Sequence, residues 1–139
     1  MVGISAAGGA KFVIGALERT KALGGKTVAL SSNGEAAIFR CADVSIHTDT
    51  GAEVLTGSTR LKAGTAQKIV LNAISTCAMV KTGKVYENMM INLKPSNEKL
   101  TKRVIRIVCE IKGCDEETAV KLLEANDWSI RRAVEVYED

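Results

Sequence analysis

The chain has 139 residues, of which 46% are hydrophobic and 25% charged, and this composition excludes a wholly disordered protein. Nineteen Lys and Arg residues against 16 Asp and Glu residues leave a net charge of only +3, which is too small to predict nucleic-acid binding. The longest apolar run, Ile69 to Val80, is too short to cross a bilayer, and no signal peptide precedes it. We therefore expect a cytoplasmic protein that binds neither nucleic acid nor a membrane.

The first half of the chain alternates between strand and helix patterns. Residues 1–5 predict the end of a buried strand, and residues 10–23 predict a helix that Gly24 and Gly25 end. The β-branched run 26–31 predicts a parallel strand, followed by a short helix over 35–41 and a third strand over 43–47. This alternation predicts a parallel α/β sheet. The candidate core positions of the first helix are Phe12, Ile14, Leu17 and Leu23.

A long helix follows over residues 58–82, and its second half is apolar on nearly every face, which predicts a central and buried helix. A connection over 87–95 contains an extended segment, and three short amphipathic helices follow. Gly113 predicts the end of the first of these helices, and Asp115 predicts the N-cap of the second. The helical spacing of apolar residues marks their core: Val104, Ile107, Val108, Ile111, Ala119, Leu122, Leu123, Ile130, Ala133, Val134 and Tyr137. We therefore expect one domain over residues 1–95 and a three-helix tail over 96–139.

The spacing of the cysteines matches no metal-binding or redox motif. The four cysteines form no Cys-x-x-Cys pair, and His47 is the single histidine, so we predict neither a metal nor another cofactor. Cys77 and Cys109 lie in apolar helical runs and are typical of reduced core residues in a cytosolic protein. His47 is most simply a polar residue at a strand end. Trp128 is either an anchor for the three small helices or an exposed docking residue.

Two segments carry candidate binding residues. The first is Ser5-Ala-Ala-Gly-Gly-Ala10, where a strand turns into a helix, and backbone N–H groups at such a turn can hold an anion. The second, residues 51–68, gathers one carboxylate, hydroxyls and cations that could hold a sugar and a phosphate: Glu53, Thr56, Ser58, Thr59, Arg60, Lys62 and Lys68. A plain helix N-cap at Ser58 or Thr59 explains the second segment equally well.

The segment Gly51-Ala-Glu-Val-Leu-Thr-Gly-Ser-Thr-Arg-Leu-Lys-Ala-Gly-Thr-Ala-Gln-Lys68 resembles the signature of the N-acetylmuramic acid 6-phosphate etherases and of the glucokinase regulatory protein. Both belong to the sugar isomerase (SIS) superfamily. The resemblance continues through residues 3–5, 70–72, 74–76, 83–86, 97–100 and 113–114, so that the chain resembles the carboxyl-terminal half of an etherase. It implies a partial SIS-type parallel sheet flanked by helices and a tail like a ubiquitin-associated (UBA) domain.

The resemblance implies an activity in amino sugar catabolism and peptidoglycan recycling. Such an etherase is a lyase that removes the proton α to the open-chain aldehyde, expels D-lactate, and adds water to give N-acetylglucosamine 6-phosphate. The two catalytic glutamates of the family lie in its amino-terminal half, so we expect no catalytic residue in this chain and no activity from the chain alone. The alternative is a non-catalytic sugar-phosphate sensor or protein-interaction module, as in the glucokinase regulatory protein.

By position, the resemblance implies that the substrate-binding residues are Ser5, Gly8, Glu53, Thr56, Gly57, Ser58, Arg60 and Lys62. The last two are equally suited to holding the loop or a dimer contact. The first loop departs from the family sequence Ser-Ala-Ser-Gly-Arg-Thr, because Ala7, Gly9 and Ala10 replace two hydroxyls and an arginine. Each hydrogen bond lost to a charged ligand costs about 1.5–3 kcal/mol, which predicts weakened phosphate binding.

A sheet of only three parallel strands leaves an apolar edge and face uncovered. Closed dimers are the most common soluble homo-oligomers, and SIS proteins commonly pair through helices like that of residues 58–82. We therefore predict a homodimer.

Overall fold

The computed structural model describes residues 1–134 and contains a three-stranded parallel sheet. Its strands are β1 (Val2–Ile4), β2 (Val28–Ser31) and β3 (Val44–His47), which lie in the order β1-β2-β3. The helix α1 (Lys11–Ala22) joins β1 to β2, and a 3₁₀ helix (Ala37–Cys41) joins β2 to β3. The predicted α/β fold with a parallel sheet is therefore confirmed.

Close packing of α1 on the sheet depends on a glycine in β1. A Cβ atom at Gly3 would lie 2.8 Å from Val13 Cγ1 and 2.9 Å from Leu17 Cδ1, so a larger residue would force these two side chains to shift. Leu17 is fully buried there and packs with Ala29, Ala36 and Ile38. Ile14 is partly buried against the same cluster. These residues form the small core of the amino-terminal part.

Two predicted core residues of α1 are not buried. Phe12 is 87% exposed and Leu23 is 69% exposed, so this part of the core prediction is wrong. The helix packs its inner face against β1, β2 and the 3₁₀ helix, and among residues 1–134 nothing covers Phe12 and Leu23 on its outer side.

The long helix α2 (Lys62–Lys81) begins four residues later than predicted and is not buried. Of its 20 residues only Ala63 is buried, and every residue from Leu71 to Lys81 is exposed. The large apolar side chains that it exposes are Ile69, Leu71, Ile74, Met79 and Val80. The prediction of a central, buried helix is therefore wrong for this chain, because no other element of residues 1–134 covers these side chains.

Packing divides the chain into two compact parts, residues 1–74 and the residues from 75 onward. The second part holds a two-stranded antiparallel hairpin, β4 (Val85–Tyr86) and β5 (Met89–Met90), where the sequence predicts an extended connection. It continues into α3 (Glu98–Lys112), α4 (Glu116–Ala125) and α5 (Ile130–Val134). The domain boundary near Pro95 stays a prediction.

The two predicted helix boundaries, the end of α3 at Gly113 and the N-cap of α4 at Asp115, are confirmed. The Asn97 side chain accepts a hydrogen bond from Leu100 N at 2.9 Å, and Asp115 accepts one from Thr118 N at 2.9 Å. Gly113 ends α3 with a φ of 63°. The three helices share a core with one residue that follows the hairpin, and its buried members are Ile91, Val104, Ile107, Val108, Ala119, Leu123, Ile130, Ala133 and Val134.

Three further predictions concern the carboxyl-terminal part. Trp128 is partly buried against the helical core, which supports its interpretation as a packing anchor. Ile111 and Leu122 lie at the margin of that core, whereas Tyr137 falls outside the described residues. Within the part of the chain that the structure describes, no helix has both the length and the apolar character needed to span a bilayer.

Candidate functional site

The loop that follows β1 brings Ser5 and Gly8 together. Gly8 N donates hydrogen bonds to Ser5 O at 3.0 Å and to Ser5 Oγ at 3.1 Å. Gly8 has a φ of 79°, and a Cβ atom there would lie 2.2 Å from Ala36 Cβ and 2.7 Å from Ala36 Cα. Residue 8 must therefore be glycine for the loop to pack against the segment that follows β2.

The carbonyl groups of this loop accept hydrogen bonds from the last residue of β2 and from the segment that follows it. Ala6 O accepts hydrogen bonds from Ser32 N at 3.1 Å and Ser31 Oγ at 3.0 Å, and Asn33 Nδ2 donates to Ala7 O at 3.1 Å. Gly8 O accepts from Ile38 N at 3.1 Å. Because a carbonyl oxygen repels an anion, tying up three successive carbonyls favours an anion on the N–H side of the loop.

Sequence analysis missed the anchoring residues Ser31, Ser32 and Asn33. Ser31 ends the second parallel strand and the other two residues follow it, and the carboxyl ends of neighbouring parallel strands meet at one edge of a sheet. That rule, applied to the polar run after β2, could have found them. Ser32 Oγ also lies 3.1 Å from Thr48 Oγ1, which extends the polar edge to the end of β3.

The amino-terminal end of α1 has no side-chain cap. Ala10 occupies the N-cap position, and the first turn contains no acidic residue. The first helical hydrogen bond runs from Ile14 N to Ala10 O, so the N–H groups of the first turn have no acceptor among residues 1–134. Unpaired N–H groups at a helix start attract anions.

Glu53 caps the start of α2. Its Oε2 accepts a hydrogen bond from Lys62 N at 3.0 Å, and its Oε1 accepts one from Ala63 N at 3.0 Å. These two bonds, the one from Ala63 first, hold the pKa of the Glu53 carboxyl below its ordinary value. The suggested N-cap at Ser58 or Thr59 is therefore wrong, because a carboxylate nine residues upstream performs that role.

The other predicted site residues lie in a series of tight turns before α2, except Lys62, which is the first residue of that helix. Ser58 N donates to Leu55 O at 3.0 Å, Thr59 N donates to Gly57 O at 3.0 Å, and Gly57 has a φ of 79°. The side chains of Thr56, Arg60 and Lys62 are exposed, and that of Ser58 is partly buried. Their contacts with a substrate stay predictions.

No hydrogen bond within residues 1–134 joins the loop of residues 5–10 to the segment of residues 53–63. The loop of residues 5–10 is bonded to residues 30–38, whereas the segment 53–63 is bonded to itself. Lys68 Nζ bonds Asn72 Oδ1 along α2 at 2.7 Å and does not reach the loop. Within that range no group of three or more His, Cys, Asp or Glu side chains is placed to hold a metal ion.

Comparison with known proteins gives the following matches. A family model described as a UBA-like domain matches residues 105–137. An N-acetylmuramic acid 6-phosphate etherase of Oenococcus oeni is 48% identical over 134 residues, 96% of this chain and 45% of that protein. An etherase of Lactiplantibacillus plantarum is 46% identical with the same coverage, and one of Francisella tularensis subsp. novicida is 49% identical over 96% of this chain and 46% of its own length.

The chain is similar to the carboxyl-terminal half of N-acetylmuramic acid 6-phosphate etherases. It spans somewhat less than half the length of these etherase relatives. The UBA-like match falls within the predicted helical tail, so the expected order of an α/β part and a UBA-like part is confirmed.

Replacing Glu53 by glutamine should lower the thermal unfolding midpoint by a few degrees, because the glutamine amide retains only one oxygen for the two N–H groups of α2. Since the folded pKa of Glu53 lies below its ordinary value of 4.5, the cap contributes fully above that pH. Its contribution disappears as the pH falls through the folded pKa. Circular dichroism melts of wild type and Glu53→Gln should therefore differ at neutral pH and converge in acid.

A matched control for this variant is Glu35→Gln. Glu35 is exposed, and its carboxylate accepts no hydrogen bond within residues 1–134. Equal melting of the two variants at neutral pH would contradict the capping role of Glu53.

Proposed function

We propose that this chain provides the sugar-phosphate-binding part of an N-acetylmuramic acid 6-phosphate etherase and does not catalyse the reaction alone. The observation that carries this proposal is the 46–49% identity to etherases over 96% of the chain. Because the chain spans less than half of those proteins, substrate and reaction are transferred as a proposal only. The cytoplasmic location stays an expectation.

The loop of residues 5–10 supports the part of this proposal that concerns binding of the substrate phosphate. Its carbonyl groups accept hydrogen bonds from the last residue of β2 and from the segment that follows it, and the start of α1 lacks both a cap and an acidic side chain. We assign the substrate phosphate to the N–H groups of this helix start, with Ser5 and Gly8 shaping the loop.

The second segment supports the sugar half. Glu53 fixes the start of α2, and Thr56 and Ser58 have hydroxyl groups that make no hydrogen bond within residues 1–134. Hydroxyls and a turn built on Gly57 suit a sugar ring, and Arg60 and Lys62 add positive charge. Lys62 Nζ lies 3.8 Å from where a Cβ at Gly51 would be, which also suits a role in holding the loop.

Glu53 is a poor candidate for the catalytic base. A general base needs a carboxylate that is free to take a proton. Both oxygens of Glu53 accept backbone N–H groups, and the resulting fall in its pKa makes it a weaker base. Residues 51–68 contain no other carboxylate.

Activity is tested with an enzyme-coupled lactate assay on N-acetylmuramic acid 6-phosphate. We expect no lactate from the purified chain, and ligand-observed NMR should still detect binding of N-acetylglucosamine 6-phosphate. Turnover that disappears in Glu53→Gln, but not in Glu35→Gln, would contradict the proposal and identify Glu53 as a base.

The second candidate is a non-catalytic sugar-phosphate sensor or protein-interaction module. The UBA-like match at residues 105–137 favours it. The coding sequence upstream of the Met1 codon distinguishes the two candidates. An in-frame segment with the two family glutamates supports the etherase, and its absence supports the sensor.

A further inference from the structure

The carboxyl-terminal end of α3 brings two cysteines together. Gly113 takes a left-handed conformation, with a φ of 63°, and Cys114 N donates a hydrogen bond to Cys109 O at 3.3 Å. This is the hydrogen bond of a Schellman turn, in which the side chains on either side of the turn commonly make an apolar contact. Here both positions carry thiols, and neither is in a disulfide.

Both thiols line a positively charged groove. The groove has a volume of about 1090 Å³, and its cations are Lys99, Lys102, Arg103 and Arg106 on α3. Asp115 and Glu116 are the carboxylates that line it. Lys102 is paired with Glu98 at 2.7 Å, whereas Lys99, Arg103 and Arg106 have no ion-pair partner among residues 1–134. The three unpaired cations outnumber the two carboxylates, so the groove as a whole favours a small anion.

We propose that Cys109 and Cys114 form a reversible disulfide by exchange with an anionic low-molecular-weight disulfide that docks on the groove cations. This inference is independent of the proposed sugar-phosphate function. Both cysteines are partly buried but line the groove, so a small disulfide that enters the groove can reach them.

The exchange is balanced by the small disulfide, written RSSR. One cysteine, as its thiolate, attacks a sulfur of RSSR, and the S–S bond breaks to release RS⁻, which takes up the proton that the cysteine lost. The second cysteine then displaces the other RS⁻ from the mixed disulfide and forms the Cys109–Cys114 bond. The protein loses two electrons and two protons, and RSSR becomes two RSH.

The surroundings of Cys109 indicate the order of attack. Burial first, and then the nearby Cys114 side chain, raise the pKa of the Cys109 thiol. Because the thiolate is the nucleophile, Cys109 is poorly suited to the first attack, which falls to Cys114. Cys109 then acts as the resolving thiol, and the ring that closes contains only the turn residues between the two cysteines.

The test uses the full chain with Cys41→Ser and Cys77→Ser, so that only the two proposed cysteines remain. After treatment with glutathione disulfide, which is anionic at neutral pH, we expect both thiols to disappear from a thiol titration. Intact mass should show loss of two hydrogens and no glutathione, and dithiothreitol should restore both thiols. A stable glutathione adduct, or two unreacted thiols, would overturn the proposal.

Two single variants and one charge variant complete the test. Cys109→Ser should accumulate a glutathione adduct on Cys114, whereas Cys114→Ser should react much more slowly. Arg103→Gln with Arg106→Gln should slow the reaction with glutathione disulfide at least severalfold and leave the rate with neutral hydroxyethyl disulfide unchanged. Circular dichroism establishes that each variant is folded, and peptide mapping of the oxidised wild type gives an independent readout. Equal slowing with both disulfides would contradict docking on the cations.

Discussion

Restoring two hydroxyls to the first loop, by Ala7→Ser together with Ala10→Thr, should strengthen binding of N-acetylglucosamine 6-phosphate by about tenfold or more. A hydrogen bond to a charged group contributes about 1.5–3 kcal/mol, and each hydroxyl adds one possible donor near the start of α1. Calorimetric titration or ligand-observed NMR measures the change. A helix start whose N–H groups are otherwise unpaired is well suited to gain from these donors.

The single variants separate ligand binding from helix stability. Ala10 is the N-cap of α1, so Ala10→Thr should stabilise the folded chain by about 1 kcal/mol even without ligand. Ala7 is exposed in the loop, and Ala7→Ser should therefore affect affinity alone. Ala37→Ser, at an exposed position in the 3₁₀ helix, is the matched control. If Ala10→Thr stabilises the chain but the double variant leaves affinity unchanged, the chain contains no phosphate site.

Self-association through α2 is the second large effect that we expect. The helix exposes Ile69 to 63% and Val80 to 53%, and these residues lie eleven positions apart, which is three turns on one face. Leu71, Ile74 and Met79 are exposed on the other sides of the helix, and an exposed apolar surface of this kind is costly in water and commonly marks a protein-protein contact. We propose that a second copy of the chain covers it in a two-fold dimer.

The corresponding experiment is light scattering over a dilution series. Wild type should be a dimer at micromolar concentration, and Ile69→Asp with Val80→Asp should be monomeric, because a dimer would bury the new carboxylates. Val54→Asp is the control, since Val54 is 87% exposed but lies outside α2. A stable wild-type monomer would show that the apolar face of α2 stays open to solvent or awaits a different partner.

Local sequence signals sufficed where the structure depends on local contacts. Gly113 and Asp115 end and begin their helices as predicted, because a left-handed residue and a capping side chain act within one turn. The alternation of strands and helices was equally readable, since short β-branched runs bounded by glycines have few other structures available.

Signals failed where the partner lies far along the chain or outside it. Nothing around Lys62 in the sequence indicates that Glu53 supplies the cap, and the nearer hydroxyls of Ser58 and Thr59 were misleading. The apolar residues of α2 and Phe12 could be buried in a protein interior, but residues 1–134 do not bury them. A hydrophobic pattern indicates that a surface can be buried, but it does not indicate which chain buries it.

The contact between Gly8 and Ala36 separates what folding requires from what a ligand requires. Any side chain at position 8 would collide with the backbone of Ala36, whether or not a phosphate ever occupies the loop. A chain that no longer bound the ligand would therefore still need this glycine, whereas residues 7, 9 and 10 are exposed and no comparable collision restricts them. This chain has alanine, glycine and alanine at those three positions. The glycine at position 8 therefore does not indicate whether the loop binds phosphate. Residues 7, 9 and 10 are the ones that should distinguish phosphate-binding loops from loops that do not bind it.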